Sequence, residues 1–173
     1  MKTTAGIALA IAMTAAPGVS AAPKEMAAPT AAGDDGNSIG LTRFGSYYED
    51  HANVTCTATI NCILKFASSP QKKDVLIKTV SCRLQAANAP TSLTLNAPPK
   101  SGLGYNRELV LDPSNYIYAK DTYSGNYLYY ININSPANFV MQNGTQLYLN
   151  FYTSGSAAYS HGMNCTIIGQ ISE

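Results

Sequence analysis

From residue 43 onward, apolar and polar side chains alternate with a period of two almost throughout, and that alternation constrains the fold more than any motif. The clearest stretch is "TQLYLNFYT", in which Leu147, Leu149 and Phe151 share one face while Gln146, Tyr148, Asn150 and Tyr152 share the other. "ANFVMQ" precedes it across Asn143-Gly144, a dipeptide suited to a tight hairpin because both central positions accept φ > 0. "YIYAKD" and "NYLYYININ" flank "TYSG" as a second expected hairpin. "TSLTLNA" and "RELVLD" form shorter strands separated by the loop "PPKSGLGYN". No segment beyond the N-terminal region keeps apolar residues at helical spacing for three turns, and turn signals recur about every 8–12 residues. The expected architecture is therefore all-β: a single antiparallel β-sandwich, jelly-roll-like or barrel-like, of about eight to ten strands.

The beginning of the chain follows different rules. "MKTTAGIALAIAMTAAPGVSAAPKEM" offers a positive residue at Lys2, an apolar run from Ala5 to Ala16 and small residues at 19–21. This is the form of a secretory signal peptide cleaved after Ala21, and the run is too short to span about 30 Å of hydrocarbon. No transmembrane segment is expected, and the destination is the periplasm or the exterior. Residues 22–42 are rich in Ala, Pro and Gly and read as a disordered leader that buries too little apolar surface to offset its ordering entropy. Within it, "GDDGN" lacks the later acidic ligands of a calcium loop and reads as a polar turn. Residues 43–173 are then the β-sandwich domain. Removing residues 1–21 takes away only Lys2 among the charged groups, leaving ten basic against ten acidic side chains. Such a balance gives no electrostatic footprint for nucleic acid or an anionic membrane.

Four cysteines in an exported chain favour disulfides over zinc. His161 lies four residues before Cys165, but no CxxC couple of the kind zinc sites use is present. Cys56 and Cys62 stand six residues apart in "VTCTATINCILKF". In one extended strand they would be separated by about 20 Å, whereas a disulfide needs Cα atoms within roughly 7 Å. A bond between them requires reversal inside "TATIN", through a small hairpin or wide turn with Asn61 and the threonines supplying the turn chemistry. Cys82 shares parity with Leu76, Val80 and Leu84, and Cys165 with Ile167 and Ile171. Both belong on apolar faces, so the expected pairing is Cys56–Cys62 and Cys82–Cys165, the second joining neighbouring strands far apart in sequence.

The order of Cys56, Cys62, "VSC" at 80–82 and "NCTIIG" at 164–169 resembles small uncharacterised secreted bacterial proteins in which a signal peptide precedes one β domain of this size. The resemblance implies a disulfide-stapled β fold and no known activity.

Chemistry is sparse. Ser160 and His161 could be assembled with a distant Asp, but no G-x-S-x-G elbow exists, and a solvated histidine in a small-residue loop is the better reading. Glu108, Asp112 and Asp121 could supply a glycosidase pair, yet sequence does not set the separation that such chemistry needs. No catalytic residue, metal or cofactor is expected. The distinctive feature is twelve tyrosines with no tryptophan, interleaved with asparagines across the C-terminal half. Tyrosine is a good strand former whose ring suits a half-exposed sheet face. One expectation is thus a non-enzymatic structural or surface component. The alternative is a noncatalytic module that binds a carbohydrate, or else a peptide, on a Tyr/Asn-rich face drawn from Tyr148, Tyr152, Asn150, Tyr127 and Tyr129, with a glycan or cell-surface component as partner. A contiguous outward row of three or more tyrosines favours the module; dispersed or inward tyrosines favour the passive component.

Overall fold

The computed structural model describes residues 37–70, 73–100, 107–155 and 160–172. Ten strands follow in chain order: β1 (Ser38–Phe44), β2 (Tyr47–Cys56), β3 (Asn61–Ser68), β4 (Val75–Ala86), β5 (Pro90–Ala97), β6 (Arg107–Leu111), β7 (Tyr116–Lys120), β8 (Tyr127–Met141), β9 (Gln146–Thr153) and β10 (His161–Ile171). They form a six-stranded sheet of order β1-β2-β10-β4-β8-β7 and a four-stranded sheet of order β3-β9-β5-β6. Every neighbouring pair is antiparallel. The alternation explains the layers. Leu147, Leu149 and Phe151 of β9 are completely buried, as are Leu93 and Leu95 of β5, and they meet Tyr48, Ile77, Val80 and Ile167 of the larger sheet.

Both disulfides form as expected. Cys82 and Cys165 stand directly opposite each other on β4 and β10, with Cα atoms 4.1 Å apart. Cys56 and Cys62 join the end of β2 to β3, with Cα atoms 5.6 Å apart. The reversal at 57–61 is an arch from one sheet to the other and not a hairpin. Ala58 takes φ 53°, and Thr59 Oγ1 both donates to the carbonyl of Asn61 and accepts its N–H, so the anticipated turn chemistry is present.

Three other expectations change. Asn143-Gly144 also connects the two sheets, β8 to β9, and does not close a hairpin. Only Gly144 has positive φ, so the turn lacks the double left-handed geometry of a tight hairpin. Asp74 Oδ1 instead accepts the Asn143 N–H at 2.8 Å and its side-chain amide at 3.2 Å, tying the turn to the start of β4.

Leu76 does not share the face of Val80 and Cys82. Lys78 is an extra residue of β4 relative to β10, and this β-bulge moves the buried set back to Val75 and Ile77. The bulge brings the β4 backbone against Gly169, where a Cβ would come within 2.7 Å of the Leu76 carbonyl oxygen.

The domain also begins earlier than residue 43. Ser38–Phe44 is β1, so the end of the expected leader is ordered strand. Asn37 holds β3 through bonds with the Lys65 backbone, and Leu41 is buried. Asp50 on β2, fully buried, accepts Ser38 Oγ–H and the Ala67 N–H of β3, each at 2.5 Å. That carboxylate couples the sheets. The expected signal peptide, its cleavage site, and Tyr105 and Tyr159 lie outside the described residues.

Candidate ligand-binding cleft

The β7–β8 ribbon closes as the sequence predicts, through a turn built on Asp121. Its N–H donates to the Asn126 carbonyl at 2.7 Å, and its carbonyl accepts the Gly125 N–H at 3.0 Å. Gly125 has φ 71°, a conformation that side chains oppose. The carboxylate accepts the Ser124 N–H at 2.7 Å and the Tyr130 hydroxyl proton at 3.0 Å. These bonds, led by the one from Ser124, hold the Asp121 carboxyl below its ordinary pKa. Tyr130 is raised, first by desolvation and then by Asp121.

In register, Tyr116 opposes Ile131, Tyr118 opposes Tyr129, and Lys120 opposes Tyr127. The core-facing parity of Ile131 and Ile133 thus continues into Tyr129 and Tyr127, joined by Tyr118 and Tyr116 from β7. Along this part of the ribbon the side chains are not enclosed: Tyr116 is 43% exposed, and Tyr118 and Tyr127 are each 56% exposed. The rings touch in the order Tyr116, Tyr129, Tyr118, Tyr127, with centroids 5.0, 4.6 and 5.4 Å apart. Four tyrosines form one row.

The row borders a cleft of about 690 Å³ at this end of the sandwich. Tyr118 and Tyr127 line one wall with Asp121, Ser124 and Asn126; Gln85, Asn88 and Thr55 line another. Ser160, His161 and Gly162 close it from the start of β10. His161 is buried, contrary to the solvated loop position expected for it. Its Nε2 lies 2.7 Å from the Thr59 carbonyl oxygen, which can only accept, so Nε2 carries the proton. Burial follows because Cys56, paired with His161 in the ladder, is tied to Cys62 and brings the 57–61 arch over the ring. Of the three carboxylates considered for glycosidase chemistry, only Asp121 lines the cleft.

The five residues selected from the sequence do not form one face. Tyr127 and Tyr129 belong to the row, whereas Tyr148, Asn150 and Tyr152 sit on β9 of the other sheet. Tyr116 and Tyr118 were not in that selection. The signal for them is the alternation of "YIYAK" set against "NYLYY", which places both pairs of rings on one side once the hairpin closes. Gln85 and Asn88 carry no local signal, because a sheet crossing brings them to the cleft.

No family model and no curated protein matches the chain. Among solved structures, it is similar to dimeric latent PorU from Porphyromonas gingivalis, at 13% identity and a TM-score of 0.34. The likeness covers 86% of this chain and 14% of that one. So loose an overlay carries no argument about fold or site. Among the described residues, no helix is long and apolar enough to cross a membrane, and the two disulfides are compatible with an extracellular or periplasmic location.

Proposed function

We propose that this protein is an exported, noncatalytic module that binds polysaccharide at the end of its sandwich. The observation that carries the reading is the contiguous row of Tyr116, Tyr129, Tyr118 and Tyr127 beside a cleft lined by amides and hydroxyls. Ring faces complement the C–H faces of sugars, and neighbouring amides serve their hydroxyls, a few placed polar groups in a concave site. Cross-strand ring contacts stabilise the β7–β8 ribbon by themselves, but a contiguous exposed aromatic row bordering a polar cleft favours a binding surface over a passive one.

A glycan array probed with wild type, Tyr118→Ala and Tyr127→Ala tests the proposal. Loss of either ring should weaken binding about tenfold, corresponding to ~1.4 kcal/mol. The thermal midpoint should barely move, since both side chains are largely exposed. Wild type that binds no sugar returns the passive component to first place.

A further inference from the structure

Gly162 has no structural reason to be glycine. It lies inside β10, its φ is not among the positive values of the chain, and a Cβ built on it would meet nothing within 4 Å. Gly169 on the same strand is the contrast, because there a Cβ would strike backbone. A glycine inside a strand sacrifices stability, and it often marks a place where another molecule approaches closely. Gly162 faces outward between Thr55 of β2 and Gln85 of β4. All three residues line both the cleft and a second hollow of about 420 Å³ along the outer face of the six-stranded sheet.

Arg83 lies on that outer face. Asn53, Asn164, Arg83 and Asn132 stand in register across four adjacent strands, and all four are exposed. Arg83 also borders a third hollow, and among the described residues no carboxylate lines either of the two hollows it borders. A guanidinium flanked by amides, with no acidic group among the described residues that line its hollows, is complementary to a planar carboxylate that it can bind through two parallel hydrogen bonds.

We infer that the ligand is an acidic polysaccharide that crosses β10 over Gly162 and places a uronate carboxylate on Arg83. The inference rests on the polysaccharide reading above and adds the chemical class of the sugar and its path. Asn53, Asn132 and Asn164 serve ring hydroxyls around the carboxylate, and the cleft that Gly162 shares with Tyr118 and Tyr127 receives the other end of the chain.

The test uses alginate, polygalacturonate and hyaluronan, each native and carboxyl-reduced, with poly-L-glutamate as an acidic polymer lacking sugar. Wild type should bind at least one native polysaccharide about tenfold tighter than its reduced form, a difference of ~1.4 kcal/mol. Arg83→Gln should abolish that difference. Gly162→Val should weaken both forms while its thermal midpoint equals or exceeds that of wild type. Equal binding of native and reduced polymers, dependent on Tyr118 and Tyr127, overturns the acidic class and leaves the polysaccharide reading standing. Retention of the acid preference by Arg83→Gln, or equal binding of poly-L-glutamate, also overturns it. No binding to any of these polymers overturns the acidic class, and no binding on the glycan array either overturns both readings. Acid-dependent binding indifferent to Tyr118→Ala and Tyr127→Ala supports the groove and removes the tyrosine row from the site.

Discussion

Phe151 and Tyr152 are adjacent in sequence, and the pleat gives them opposite surroundings. Phe151 is fully enclosed, while Tyr152 is 38% exposed. Phe151→Ala should cost roughly 3–5 kcal/mol through lost burial and a residual cavity, and Tyr152→Ala under about 1 kcal/mol. Urea unfolding of both variants measures the contrast, and similar losses would show that the strand faces are misassigned. Glycine offers a second single-residue comparison. Gly169→Ala forces a methyl group against the Leu76 carbonyl and should destabilise by about 1–3 kcal/mol. Gly162→Ala adds a methyl group in open space and should be neutral or stabilising by about 0.5–1 kcal/mol.

Between elements, the two disulfides differ in the loop they close. The bond from β4 to β10 spans 83 residues, for which chain entropy gives ~4–5 kcal/mol; the bond from β2 to β3 spans 6, worth ~2 kcal/mol. Replacing both Cys82 and Cys165 by Ala should therefore lower stability more than the same change at Cys56 and Cys62, read from denaturant midpoints. The Asp121 turn has a pH signature. Its carboxyl has a lowered folded pKa, so its contribution is complete above the unfolded value of about 3.9 and is lost as pH falls through the folded value. Protection of the Ser124 amide from hydrogen exchange should decline on acidification over that range, and an unchanged profile would separate the amide from the carboxylate. The strands and the β7–β8 hairpin were legible because alternation and a Gly-containing turn are local signals. What connects to what was less legible. Asn143-Gly144 reads as a hairpin because the dipeptide fixes a turn but not the sheet that the chain enters next; Asp74, far back in sequence, decides that. The Lys78 bulge shifted Leu76 off its expected face, since an inserted residue breaks parity without altering composition. Tyr127 and Tyr129 of the row were visible from the sequence, and Tyr148, Asn150 and Tyr152 fall on the other sheet because parity says "outward" without saying from which sheet.

At the scale of the molecule, the domain boundary at residue 43 fails because its anchoring is nonlocal. "NSIGLT" looks like leader, yet Ser38 supplies a hydrogen to a buried carboxylate, and Leu41 fills the core. A chain beginning at Arg43 loses both. It should be less stable than one beginning at Asn37 by about 3–5 kcal/mol, from lost leucine burial and an under-satisfied Asp50. Equal melting curves for the two chains would make β1 dispensable. One element sets the polarity of the whole. β10 runs from His161 at the cleft to Ile171, where its N–H meets the carbonyl of Ser46 in the turn between β1 and β2. Eleven residues of strand put about 35 Å between the two poles. A bead, dye or second domain attached beyond Ile171 therefore stands a sandwich-length away from the tyrosines, and immobilisation by that pole leaves the cleft facing the medium.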